Sequence, residues 1–253
     1  MKNTRSENPK ERLIFALDAT GDLAGTISWV ERLKGHVGMF KVGKEAFTRY
    51  GPEIVARIQG GGAKVFLDLK FHDIPHTVAR AAEAAVELGV AMFNLHALGG
   101  KEMLREAVLA AEKRAEELRI PKPAILAVTV LTSLNDDDLK TIGFRSSVKD
   151  AVLSLARLAQ DEGVSGVVAS PQDVAVIRKI CGQDFIIVTP GIRGRDSAGD
   201  DQKRTLTAGE AVKYGADYLV VGRPIRRAAD PVGEADAIVS EMSGSFCRML
   251  KEE

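Results

Sequence analysis

The sequence predicts a single-domain α/β protein, a (β/α)8 barrel of the TIM type. Three observations carry that prediction. Short apolar, β-branched runs alternate with helical patterns eight times along 253 residues, with no Pro- or Gly-rich linker between them. Strands separated by helices return in the same direction and pair in parallel. The length suits one such barrel. No composition shift, short repeat or low-complexity tract divides the chain, so residues 1–253 are expected to form one domain, with the polar residues 1–11 frayed.

Taken in order, Leu13-Ile14-Phe15-Ala16-Leu17 reads as a buried strand that ends in Asp18. A helix over Thr20 to Lys34, capped by Thr20 or Asp22, puts Leu23, Ile27, Val30 and Leu33 on one stripe. Gly38 to Val42 is the second strand and carries Lys41. Gly51-Pro52 opens a helix with proline at its first position, and Gly60-Gly61-Gly62 closes it. The third strand, Val65 onward, runs into Asp68-Leu69-Lys70-Phe71-His72-Asp73-Ile74, and an alanine-rich helix follows from Ile74 to Leu88.

The alternation continues with a strand at Val90 to His96, a helix at Lys101 to Leu118 and a strand at Ala124 to Leu131. A polar loop from Thr132 to Arg145 leads to a helix over Ser146 to Asp161. Gly166 to Ala169 and Phe185 to Val188 are strands, with a helix beginning at Pro171 between them. Ile192 to Lys203 is a long irregular segment. A short helix over Thr207 to Tyr214, a strand from Tyr218 to Val221 and a helix over Val232 to Leu250 complete the pattern. A doubly wound open sheet is the competing fold. The G-x-G-x-x-G turn that would serve a dinucleotide there is absent, since the chain reads Asp18-Ala19-Thr20-Gly21-Asp22 after the first strand.

Composition narrows the function. Hydrophobic residues make up 45% and charged residues 28%, and the formal net charge is zero. A balanced chain has no electrostatic footprint for nucleic acid or an anionic membrane, so neither is an expected partner. No run reaches the roughly 18 apolar residues of a membrane span, and the start has no apolar leader core, which points to the cytoplasm. Cys181 and Cys247 have no ligand spacing and read as reduced thiols. His36, His72, His76 and His96 form neither H-x-H nor H-E-x-x-H, so no metal site is expected. No G-x-S-x-G nucleophile turn occurs.

The chemistry should sit where barrel strands end, at their C-terminal mouths. Alternation places Ile14, Ala16 and Asp18 on one face of the first strand and Met39 with Lys41 on the matching face of the second. Asp68 and Lys70 share a face with Phe66. Asn94 and His96 end the fourth strand. Structural ion pairs would be the plain explanation of such charges, but removing ions from water costs several kcal/mol each, and repeating that cost at three consecutive strand ends argues for use. Alternating Asp and Lys can hold a carboxylate ionised beside an anionic ligand, and a lysine within reach of a developing carbanion is a proton donor. Gly191 with Arg193, and Gly222 with Arg223, close the last two strands where barrels grip phosphate.

These residues resemble the orotidine 5′-phosphate decarboxylase family. Asp68-Leu69-Lys70-Phe71-His72-Asp73-Ile74 is similar to its D-x-K-x-x-D-I signature, and Lys41 stands at its upstream lysine. Further matches are Asp18, Leu131-Thr132-Ser133, Pro190-Gly191-Ile192-Arg193, Gly199-Asp200-Asp201-Gln202 and Val221-Gly222-Arg223, in the expected order across nearly the whole chain. The resemblance implies conversion of orotidine 5′-monophosphate to uridine 5′-monophosphate in pyrimidine synthesis without a cofactor. Asp68 would crowd the substrate carboxylate, Lys70 would stabilise and protonate the carbanion, and Lys41 and Asp73 would complete the array. Asp18, Asp73 and Thr77 would bind the ribose or adjacent groups, Asp73 and Thr77 reaching across a homodimer. Ser133 and Gln202 would touch the pyrimidine and the closing loop, Arg223 and the Gly222 backbone would hold phosphate, and Ile74, Thr132 and Arg193 complete the substrate-binding set.

In this family a proline often follows the arginine of the seventh-strand loop, where this chain has Gly194, which suggests a floppier lid. Two rival functions stand beside this one. A magnesium-dependent hexulose-phosphate decarboxylase or aldolase of the same superfamily would usually carry an acidic residue where Lys41 stands. A non-catalytic nucleotide-binding barrel would bind without turnover.

Overall fold

The structure, a computed structural model, describes Ser6 and residues 8–19, 21–192 and 206–249, of which 245–249 in backbone only. Eight strands close into a parallel barrel in sequence order: β1 (Leu13–Leu17), β2 (Met39–Gly43), β3 (Val65–Phe71), β4 (Met92–His96), β5 (Ala124–Val128), β6 (Gly166–Val168), β7 (Ile186–Pro190) and β8 (Tyr218–Val221). Closure is made by β8 pairing β1 through Leu13↔Leu219, Ile14↔Val220 and Phe15↔Val221. The expected (β/α)8 architecture is therefore present.

Strand parity separates two cores. Ile14, Met39, Phe66, Met92, Leu126, Ile186, Val188 and Val220 fill the barrel interior. Leu13, Phe15, Leu17, Phe40, Val42, Leu67, Phe93 and Leu95 face outward into the layer shared with the helices. Phe15 anchors that layer, stacking on Trp29 at 5.8 Å and meeting Phe40 edge-on at 6.2 Å. The alternation that placed Ile14 with Ala16, and Met39 with Lys41, on the inner face holds.

The helices are α1 (Leu23–Leu33), α2 (Lys44–Tyr50), α3 (Glu53–Gly60), α4 (Pro75–Glu87), α5 (Gly100–Leu118), α6 (Asp136–Thr141), α7 (Val148–Asp161), α8 (Val174–Cys181), α9 (Ala208–Lys213), α10 (Arg223–Arg227) and α11 (Pro231–Met249). Asp22 caps α1 by accepting from the Gly25 N–H at 2.8 Å; the alternative cap, Thr20, lies outside the described residues. Three helices were not expected from the sequence. The stretch between the second strand and Gly51, to which the sequence pattern assigns no element, is α2, which ends at Gly51 with φ 62, a left-handed turn that glycine enters without a Cβ penalty. Pro52 then caps α3 rather than starting it. The polar loop Thr132 to Arg145 contains α6, held by a capping box in which Asn135 accepts from the Asp138 N–H and the Asp138 carboxylate accepts from the Asn135 N–H. The turn after β8 coils into α10. All three are five to seven residues long, too short to show a helical period.

Among the described residues no helix is long and apolar enough to cross a membrane. Cys181 is a buried free thiol whose pKa burial pushes up. The side chain of Cys247 lies outside the described residues.

Candidate active site

The C-terminal mouth of the barrel opens into a cavity of about 300 Å³. Asp18, Lys41, Asp68, Lys70, Thr132, Gly222 and Arg223 line it, together with apolar walls from Phe66, Val128, Val168, Ile192 and Val220. Seven residues singled out in the sequence thus meet in one place. Charged groups converge on one side and Arg223 stands on the β8 side.

Asp68 is the centre of the charged wall. Its carboxylate, in a residue only 9% exposed, accepts from Lys70 Nζ at 2.5 Å on Oδ1 and faces Lys41 Nζ at 3.1 Å on Oδ2. Lys41 and Asp68 arrive there because β2 and β3 pair with Lys41 beside Phe66 and Gly43 beside Asp68. Burial alone would raise the Asp68 pKa; the charges of Lys41 and Lys70, with hydrogen bonds from Lys70 and Asn94, outweigh it and bring it below the ordinary value.

Lys70 reaches Asp68 by a route that simple alternation does not contain. Its backbone is left-handed, φ 53, and the β3–β4 register jumps from Leu67↔Phe93 to Phe71↔Leu95. Four residues on β3 therefore span two on β4, a bulge that re-aims the lysine. Asn94 braces the distortion: its Oδ1 accepts from the Lys70 N–H at 2.8 Å and its Nδ2 donates to Asp68 Oδ1 at 2.7 Å. Asn94 was noted at the strand end but not counted as a site residue. The readable signal was an amide on the inward parity of a core strand, buried to 1% exposure.

His96, two residues further on β4, has a buried Nδ1 with no hydrogen-bond partner, and its ring lies 5.4 Å from that of His72. Burial, then the neighbouring His72, Lys70 and Lys44, push its pKa down to about 4, so the imidazole is neutral at neutral pH. Arg226 also went unread. Its Nη2 lies 2.8 Å from Asp18 Oδ2.

Four expected residues do not line this cavity. Asp73, Ile74, Thr77 and Ser133 are exposed, the first three around the start of α4, where Asp73 accepts from the Ile74 N–H at 2.7 Å. Ile74 is 66% exposed, unusual for so large an apolar side chain. Arg193, Gln202 and Gly194, and with them most of the expected Ile192 to Lys203 loop, lie outside the described residues. Among the described residues no three His, Cys, Asp or Glu side chains are grouped to hold a metal ion.

The geometry has clear relatives. Residues 11–238 match the model of the Orotidine 5′-phosphate decarboxylase / HUMPS family. The chain is 63% identical over 250 residues to the orotidine 5′-phosphate decarboxylase of Syntrophus aciditrophicus strain SB, covering 98% of this chain and 96% of that protein. It is 52% identical to the orotidine 5′-phosphate decarboxylase of Trichlorobacter lovleyi, covering 94% and 98%. Among solved structures, orotidine 5′-phosphate decarboxylase from Lactobacillus acidophilus superposes with a TM-score of 0.79 at 36% identity, covering 91% of this chain and 98% of that one.

Proposed function

The chain belongs to the orotidine 5′-phosphate decarboxylase / HUMPS family, and on that premise we propose that it converts orotidine 5′-monophosphate to uridine 5′-monophosphate with its own side chains, in the cytoplasm. The observation that carries the reading is one buried carboxylate, Asp68, held between Lys41 at 3.1 Å and Lys70 at 2.5 Å at the wall of a cavity whose other side carries Arg223.

With the substrate phosphate toward Gly222 and Arg223, the pyrimidine carboxylate lies against Asp68. Two like charges held side by side destabilise the bound acid relative to neutral carbon dioxide. The bond from ring carbon to carboxylate breaks, its electron pair stays on the ring carbon, and carbon dioxide departs. The Lys70 ammonium faces that carbanion, lowers its energy and donates the proton that yields the product, then regains a proton from water. A unit-charge pair at 4 Å in an effective dielectric near 20 is worth roughly 4 kcal/mol, so the lysine gains strength as the carbanion forms. Lys41 keeps Asp68 ionised throughout. Asp18 takes ribose hydroxyls and Thr132 and Ser133 meet the ring, with Arg193 and Gln202, outside the described residues, as the remaining substrate contacts; binding energy from the remote phosphate serves to exclude water.

Asp73, Ile74 and Thr77 stand outside their own cavity on an exposed edge, which suits a homodimer in which they complete the partner's site. The apolar, exposed Ile74 supports that placement.

The test is direct: mix the protein with orotidine 5′-monophosphate, with and without a magnesium chelator, and follow the orotate absorbance. Loss of the band in both samples is expected. An unchanged spectrum at high enzyme concentration leaves either a nucleotide-binding barrel without turnover or the magnesium-dependent hexulose-phosphate branch of the family, against which Lys41 beside Asp68 argues.

A further inference from the structure

Arg226 ties two parts of the cavity that the ladder leaves separate. The β1–β8 pairing ends at Phe15↔Val221, yet β1 runs on through Ala16 and Leu17 to meet Asp18 just past its end, while β8 gives way to Gly222 and α10. Across this seam the Nη2 of Arg226 donates to the Ala16 carbonyl at 2.8 Å and meets Asp18 Oδ2 at 2.8 Å. Its guanidinium carbon lies 5.9 Å from the centre of the Phe15 ring, and the side chain is 22% exposed. One planar cation therefore makes a rung beyond the last rung of the sheet. The backbone beneath it is close-packed: a Cβ on Gly222 would lie 3.1 Å from the Ala16 Cβ.

Asp18, Ala16, Gly222 and Arg223 all line the cavity, and Arg226 lies one helical turn after Arg223 on α10. We propose that Arg226 is a positioning residue that locks Asp18 to the helix bearing Arg223, so that the carboxylate and the phosphate-gripping arginine hold one fixed spacing across the cavity. This rests on the reading of Asp18 and Arg223 as ribose and phosphate contacts. With Oδ2 engaged by Arg226, the Asp18 carboxylate cannot rotate freely, and Oδ1 keeps its lone pairs for a substrate hydroxyl. A nucleoside monophosphate presents those two groups at a spacing set by its own covalent frame, so a prefixed pair binds it without first being ordered.

The experiment compares wild type with Arg226→Met, Arg226→Gln, Arg226→Lys, Asp18→Asn and the Arg226→Gln/Asp18→Asn double variant, measuring kcat and KM for orotidine 5′-monophosphate. Arg226→Met keeps the stem on Phe15 and removes the fork; Arg226→Gln keeps a donor for the Ala16 carbonyl and loses the charge on Asp18. Both are expected to raise KM about 10-fold while kcat changes less than about threefold, because the groups they release touch parts of the substrate that do not react. Arg226→Lys should recover part of the loss. The double variant should bind no worse than Asp18→Asn alone, since the arginine acts through that carboxylate. A purely structural arginine would instead give losses that multiply with Asp18→Asn. That result, or a KM within twofold of wild type in a folded Arg226→Gln protein, overturns the proposal. If Arg226→Met does not fold, Arg226→Gln decides alone. A wild-type protein that fails to turn over the substrate removes the functional reading and this proposal with it, whereas an active wild type beside unaltered variants removes the proposal only.

Discussion

The backbone N–H of Lys70 donates to Asn94 Oδ1 at 2.8 Å, and that bond holds a lysine in the left-handed region at φ 53. A non-glycine residue in that region costs roughly 1–2 kcal/mol, so something must keep it there. The ladder does not, because the bulge has taken the lysine out of register. Asn94 supplies the missing partner. Through its other amide atom it holds Asp68 at 2.7 Å, so one side chain sets both members of the Asp68–Lys70 ion pair.

Replacing Asn94 by alanine removes both bonds at once. The Lys70 N–H is left without its acceptor and the left-handed turn without its brace. Asn94→Ala is expected to lower kcat about 100-fold, the scale of a misplacement near 1 Å, and to cost about 1–3 kcal/mol of stability for the buried groups left unpaired. Steady-state assays and urea unfolding measure the two effects. A kcat within twofold of wild type would show that Lys70 holds its position unaided.

Lys70→Ala removes the proposed proton donor while leaving Arg223 in place. Turnover should vanish and binding of uridine 5′-monophosphate should remain measurable by calorimetry. Mixing that inactive protein with an inactive Asp73→Ala protein then tests the shared site. A mixed dimer contains one site that combines the intact Lys70 of one subunit with the intact Asp73 of the other, so activity should reappear on subunit exchange. No recovery, with exchange verified by mass spectrometry, would count against Asp73 reaching the partner.

What could be read in advance follows from how local each cause is. The barrel was legible because inward and outward faces alternate along every strand, and Ile14, Met39 and Phe66 obey that period. Lys41 and Asp68 were legible for the same reason. The bulge at Lys70 was not, since it arises from a bond to Asn94 on another strand, 24 positions away. Arg226 escaped notice for a related reason: it sits in a helix too short to show a period and acts on Asp18 at the other end of the chain. Asp73, Ile74 and Thr77 show the opposite case. The motif that holds Asp73 and Ile74 was plain, yet all three residues lie exposed, outside the cavity of their own subunit.

His96 makes stability depend on pH in a definite direction. Its folded pKa, about 4, lies below the unfolded value of 6.5, so between those values the unfolded chain binds more protons. The neutral imidazole stabilises the fold fully above pH 6.5, and that contribution is lost as pH falls toward 4. His72, Lys70, Lys44 and Asp68 surround it, the first three opposing a further positive charge. Asp68 adds little to this window because its own pKa is lowered and it stays ionised there. Urea unfolding at pH 7 and pH 4.5 should show a smaller drop in stability for His96→Gln than for wild type. Equal drops would place the acid sensitivity elsewhere.

The far end of the barrel should separate stability from catalysis. Arg178, near the end of α8, donates to the carbonyls of Gly182, Phe185 and Gly215 at 2.7–2.8 Å, and its Nη2 reaches Asp217 Oδ2 at 2.6 Å. The same Asp217 oxygen accepts from the Ile187 N–H at 2.7 Å. These contacts join the entrances of β7 and β8, opposite the cavity, and the two charged side chains are 8% and 6% exposed. Removing one member of such a pair strands a buried charge, at about 3–5 kcal/mol. Arg178→Met is therefore expected to lose that much stability in urea unfolding, and Arg178→Met with Asp217→Asn to recover part of it. Below the unfolding temperature kcat should stay within about twofold of wild type, because the strand entrances carry stability while the mouths carry chemistry. A large fall in kcat in the folded variant would mean that the β7–β8 spacing at the base controls Arg223 at the rim.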